Sequence, residues 1–229
     1  MKIVVQAHVF SILLITAILI ALLFVINRAL KKYNPLDEPK GLVLLALMAV
    51  ETVDKTVRSD VNEEIFENLG PYVGSLWGYI FLSSISGLFG LQAVPTGNYS
   101  VTLTLAIITI FLVEFNSIKF NGIKEYMKGL FEPIFLFLPM NLVGKLAPII
   151  SLSMRLFANL LSGSIIMTLL YTCTEYFSSF IPLIGSFNVF GVIVAPILHA
   201  YFDLISSLLQ TFIFTSLTII FIGKELPSK

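Results

Sequence analysis

The chain has 229 residues, 57% of them hydrophobic and only 12% charged, with a mean hydropathy of +0.94 and a formal net charge of zero. These values exclude an ordinary soluble domain, and the balanced charge supplies no overall field for nucleic acid. The one cysteine, Cys173, excludes an internal disulfide framework and a CxxC site, and two histidines far apart give no metal-ligand cluster.

The first apolar run extends from Ile3 to Ile26. It is longer than a signal-peptide core, no small-x-small cleavage pattern follows, and Arg28, Lys31 and Lys32 flank it as a stop-transfer signal. The pattern predicts a retained membrane helix over 3–26 and a polar loop over 27–40. Residues 41–69 begin apolar and turn acidic. The apolar part is too short to cross a hydrocarbon layer of ~30 Å, so it reads as an amphipathic helix on the membrane surface.

Residues 71–91 can span, QAVPTGN is a turn, and 100–116 span again. KFNGIKEYMKG reads as a second polar loop. The stretch 133–171 is apolar for longer than one perpendicular crossing, and 187–222, after a loop around Glu175 to Gly185, is overlong too. Both helices are expected to tilt or bend, the last near Pro196. The fold class is thus all-α integral membrane protein, with about five transmembrane helices, an interfacial amphipathic helix, and the last two helices long and tilted. The short alternating segments of a membrane barrel are absent.

Of the 14 Lys and Arg, all but Lys2, Lys145 and Arg155 fall in the loops that share one side, the surface helix or the C-terminal tail. The positive-inside rule then puts the N-terminus outside and the C-terminus in the cytoplasm. Lys145 is expected to snorkel to the interface. Gly70, Gly74 and Gly78 form a small-residue stripe for close helix packing. No internal repeat supports an inverted-repeat transporter.

Arg155 is the anomaly. A guanidinium keeps its proton, and a central Arg costs roughly 2.5–3.5 kcal/mol on insertion scales, so such a residue marks an ion path or a counter-ion site. With Arg155 at zero degrees and about 100° per residue, Ser151 falls at about −40°, Ala158 at −60°, Asn159 at +40° and Ser162 at −20°. One helix face is therefore small or polar. In the last segment His199, Asp203, Ser206, Ser207 and Gln210 follow helical spacing along one face. With Gln210 level with Arg155 in an antiparallel pair, Asp203 lies level with about residue 162. A polar strip then runs from mid-membrane outward. Glu175 reads either as a solvated loop carboxylate or as channel lining, and His199 either as packing or as proton handling. A structural ion pair of Arg155 with Asp203 or Glu175 is the bland reading.

The run PMNLVGKLAPIISLSMRLFANLLSG resembles the fourth transmembrane region of subunit a of bacterial F-type ATP synthases. Pro139, Asn141, Pro148, Ser151, Arg155, Leu156, Phe157 and Asn159 carry the likeness. Gln210, Phe212 and Phe214 are similar to that family's final helix, and PTGNYSVTLTLAI to its third crossing. The resemblance covers about residues 70–226, with 1–69 alike only in general character. It divides the chain into 1–69, a membrane helix, cytoplasmic loop and surface helix, and 70–229, a four-helix ion-translocating domain.

The resemblance implies a non-catalytic stator subunit, without cofactor or metal, that offers two ion half-channels beside a rotating c-subunit ring. Its expected partners are that ring, the peripheral stalk subunit b, the rest of the FoF1 complex, membrane lipid and the translocated H+ or Na+, in a bacterial plasma membrane. Arg155 is the essential cation, and Asn159, Ser164, Glu175, His199, Asp203, Ser207 and Gln210 are expected along the ion path. Where many members carry Glu this chain has Ser164, and where many carry His it has Asp203, so the acid has moved to the neighbouring helix. A stand-alone transporter or channel with an intramembrane Arg is the alternative.

Overall fold

The computed structural model describes residues 7–33, 39, 41, 43–44, 47–48, 51, 63–89, 94–132, 134–180 and 188–224. Every regular element among them is helical. In chain order these are α1 (Ala7–Lys32), α2 (Glu63–Ile85), α3 (Tyr99–Asn121), α4 (Ile123–Phe131), α5 (Leu138–Ser179), α6 (Val189–His199), a π-helical stretch (Ala200–Ser206) and α7 (Ser207–Lys224). Among the described residues five spans are long and apolar enough to cross a membrane: His8–Lys32, Gly70–Phe89, Tyr99–Asn121, Phe135–Ser179 and Phe190–Lys224. The fold class expected from the sequence is the one observed, while the surface helix expected over 41–69 lies largely outside the described residues up to position 62.

Several boundaries differ from expectation. α1 continues through the basic cluster to Lys32, because charged side chains in a last turn favour the helix C-terminus and reach water. α2 starts at Glu63, so the acidic tail and the span Gly70–Phe89 are one helix, continuous across residues 69 and 70. The stretch KFNGIKEYMKG is not a loop. Gly122, at φ 78°, ends α3 in a conformation that side-chain-bearing residues avoid, and α4 follows at once. Ile123, Tyr126, Met127 and Leu130 recur at helical spacing among the polar residues of α4, which composition alone disguised.

α5 has 42 residues, about 63 Å at 1.5 Å per residue, twice a hydrocarbon layer of ~30 Å. It must lie tilted or run beyond the layer. Pro139 stands at its N-terminus, where a missing N–H costs nothing, and Pro148 removes one interior hydrogen bond. α5 runs on to Ser179, so Glu175 is helical rather than in a loop.

The core sits where α2, α3, α5 and α7 meet. Leu76, Ile80, Ala106, Ile110, Leu152, Leu156 and Phe214 form one buried cluster. Three hydroxyls inside it are satisfied locally: Thr211, Thr215 and Thr218 donate to carbonyls four residues back at 2.8, 2.9 and 2.9 Å. Between helices, Tyr72 Oη and Thr109 Oγ1 lie 2.9 Å apart. The glycine stripe is only partly used. A Cβ at Gly78 would stand 3.1 Å from Leu19 of α1, whereas nothing lies within 4 Å of one at Gly74.

Candidate ion path

The two long segments set the register of the site. Ser206 Oγ donates to Asn159 Oδ1 at 2.6 Å, and Phe202 lies over Gly163, 3.6 Å from where a Cβ would stand. Near the other end Asn188 Nδ2 donates to Thr174 Oγ1 at 2.9 Å. Antiparallel partners therefore sum to about 365, which sets position 155 level with 210 and 162 level with 203. That is the register expected from the sequence.

The face of α5 bearing Arg155 is open on this chain. Ser151, Arg155, Ala158 and Ser162 are all exposed, while Leu152, Ser153 and Leu156 on the other side are buried. Among the described residues Arg155 has neither a hydrogen-bond partner nor an ion pair. The ion pair with Asp203 or Glu175 is not formed. Glu175 is exposed on α5, and Ser164, also exposed, donates to its own helix at Leu161 O, 2.8 Å away.

The polar residues of the last segment do not share one face. The π turn at 200–206 follows Pro196, whose ring cannot continue the α ladder, and it shifts the phase of everything after it. Before the shift, His199 Nδ1 meets Asp203 Oδ2 at 2.6 Å, and His199 Nε2 meets Tyr171 Oη of α5 at 2.9 Å. At the shift Ser206 turns to Asn159. Beyond it Ser207 and Gln210 point into the core, 0% and 8% exposed, and among the described residues Ser207 Oγ and Gln210 Nε2 have no hydrogen-bond partner.

Tyr171 escaped the sequence reading. Its number is off register with His199, but helical side chains lean toward their own N-termini, so the two tips meet.

A second cluster lies toward the opposite end of α5. Lys145 Nζ donates to Glu114 Oε2 of α3 at 2.8 Å and sits 4.4 Å from the Tyr126 ring centroid of α4. Lys145 is thus paired with Glu114. Burial, and then the hydrogen-bonded Glu114 carboxylate, push the Tyr126 phenol above its ordinary value, which keeps the ring neutral beneath the ammonium. Asn141 ties the same corner, donating to Leu130 O and Glu132 O at 3.0 Å each. Among the described residues no group of three His, Cys, Asp or Glu is placed to hold a metal ion.

Helices of this length and number define a multi-pass membrane protein, here with a lone cation on an open small-residue face of its longest span. The family model described as ATP synthase A chain matches residues 8–223. ATP synthase subunit a of Mycoplasmoides gallisepticum is 30% identical over 237 residues, covering 97% of this chain and 79% of its own. ATP synthase subunit a 2 of Chlorobium luteolum is 31% identical over 223 residues, covering 94% and 63%. ATP synthase subunit a of Bacillus pumilus is 33% identical over 160 residues, covering 66% and 65%. This chain thus spans less than two thirds of the latter two relatives. The chain belongs to the ATP synthase A chain family, and the match includes most of residues 1–69, which the sequence reading placed there only in general character.

Proposed function

We infer that the chain is the Fo stator subunit that couples ion translocation across the membrane to ATP synthesis, working within the FoF1 complex. Membership of the ATP synthase A chain family supports this reading over a stand-alone transporter or channel. The single observation that carries the site is Arg155, exposed on a face of small residues and unpaired among the described residues.

In this reading a ring of c-subunits turns against that face, and each ring carboxylate is held ionised as it passes the guanidinium. Ala158 and Ser162 let the ring helices approach closely. The strip Asp203, Ser206, Asn159 forms the outer half-channel, with His199 and Glu175 toward its mouth, and Ser164 stands level with that strip. Gln210 and Ser207 lie at the depth of Arg155 but are turned into the core, behind its open face. The peripheral stalk subunit b holds the chain still. The N-terminus faces outward and the C-terminus the cytoplasm of a bacterial plasma membrane.

Purification of the tagged chain from its membrane tests this. It should bring down the rotor ring and the stalk, and Arg155→Lys should abolish coupled synthesis in the assembled complex, because a lysine has no planar fork and can lose its proton. A chain that purifies alone and binds an anionic substrate would sink the reading.

A further inference from the structure

Helix α4 lies at a membrane boundary. The span Tyr99–Asn121 ends just before it and the span Phe135–Ser179 begins just after it. With Ile123 at zero degrees and about 100° per residue, Leu130 and Tyr126 fall at about −20° and −60°, Met127 at about +40°, Lys124 and Lys128 at about +100° and +140°, and Glu125 at about +200°. Tyr126 and Leu130 are half-buried against the protein, with the Tyr126 ring under Lys145. Ile123 and Met127 stay bare, 65% and 44% exposed. Phe131 stacks on Phe135, the first residue of the next span, with ring centroids 5.5 Å apart. The bare strip therefore runs on into a surface that lipid covers. Next to the strip, on the side away from the protein, stand the two lysines one turn apart. The acid Glu125 is turned farther round, to the water side.

We propose that α4 is a seat for an acidic phospholipid, with Lys124 and Lys128 on its phosphate and Ile123 and Met127 against its acyl chains. An apolar strip at the layer's edge with cations one step toward water is the arrangement that holds an interfacial helix on anionic lipid. Lys124 has no ion pair among the described residues. Lys128 Nζ meets Glu132 Oε1 at 3.5 Å, but the two side chains are 75% and 61% exposed, so the pair is loose and the ammonium can take a second anion. A zwitterionic headgroup carries its own cation, which cancels most of this attraction. A soluble phosphate would engage the lysines and leave the apolar strip uncovered. The backbone of the seat is fixed at its far end, where Asn141 of α5 holds Leu130 O and Glu132 O. The seat lies apart from Arg155 and stands whether or not that residue faces a rotor.

The test uses the chain with all the subunits that purify with it, placed in phosphatidylcholine liposomes. These carry a trace of phosphatidylglycerol or of phosphatidylcholine with the same photoreactive acyl chains. After illumination, lipid adducts are mapped on peptides covering 122–132. Phosphatidylglycerol should label this stretch many-fold more than phosphatidylcholine, and high salt should erase the difference, because the Debye length falls to about 3 Å at 1 M. Lys124→Gln should lower the preference about five-fold, and Lys124→Gln/Lys128→Gln should bring the two lipids to parity. Lys124→Arg/Lys128→Arg should keep the preference. Equal labelling of the unaltered chain by both lipids overturns the proposal and leaves only apolar contact. So does a preference that survives loss of both lysines. Competition by excess glycerol phosphate overturns it in favour of a soluble phosphate. Absence of labelling by either lipid overturns it in favour of a protein subunit covering α4. If the double glutamine variant fails to assemble, Lys124→Gln decides.

Discussion

Ser206 Oγ donates to Asn159 Oδ1 at 2.6 Å, joining the two longest spans one turn from the level of Arg155. The bond lies inside the π-helical stretch, where an i,i+4 ladder would have pointed Ser206 elsewhere. Interhelical hydrogen bonds in membranes average ~0.6 kcal/mol and reach ~1.7. Ser206→Ala should therefore destabilise the chain by about 1 kcal/mol in detergent unfolding. The double variant Ser206→Ala/Asn159→Ala should cost less than the two single changes added, because both break one bond.

Removing the cation should open a leak. A fall of 100 mV is worth ~2.3 kcal/mol per elementary charge, and the fixed guanidinium repels any cation crossing directly between half-channels. In membranes stripped of the F1 head, Arg155→Ala should dissipate an imposed potential faster than the unaltered chain. An equal decay rate would show that Arg155 is no barrier.

The Glu114–Lys145 pair, 22% and 24% exposed, joins α3 to α5 with Tyr126 of α4 packed against it. Removing one partner leaves a charge poorly solvated, so Lys145→Ala should lower the yield of assembled complex, and the exchange Glu114→Lys/Lys145→Glu should recover most of it. The Tyr126 phenol adds a pH edge. Its value is raised on folding, so its contribution is whole below the ordinary 10.0 and fades as pH rises past the raised value. Tyr126→Phe has no proton to lose, so alkaline dissociation of the complex should begin at a higher pH in that variant.

Leu156 is 1% exposed in the cluster with Phe214 and Leu152, on the side of α5 away from Arg155. In lipid the transfer term nearly vanishes, since the apolar surface never meets water, and the cavity term remains. Leu156→Ala should cost about 2 kcal/mol, the lower end of the range for such truncations in water, measured as the midpoint of thermal aggregation.

Much of the site was legible in residue order because membranes punish exceptions. Arg155 stands out since a permanent charge is costly there, and its small-residue face follows from a 3.6-residue period that a long helix keeps. The register of Asn159 with Ser206 follows once Gln210 is set level with Arg155, because two antiparallel helices have one free offset. Helix α4 was missed because its polar surface outweighed its apolar period, and Glu175 was placed in a loop because a carboxylate near a membrane edge looks like one.

Hydropathy, charge order and motif spacing by themselves determined the all-helical membrane class, five spans, the family and the singular Arg155. They suffice because lipid forces each span to satisfy its backbone alone, which makes every crossing a local property of the chain. Only the tertiary structure decided that Arg155 pairs with neither Asp203 nor Glu175, that Ser207 and Gln210 turn inward, and that Tyr171 meets His199 beside Asp203. Those outcomes depend on a π turn after Pro196 and on the lean of side chains from two helices, and both are geometries of packing between elements far apart in sequence.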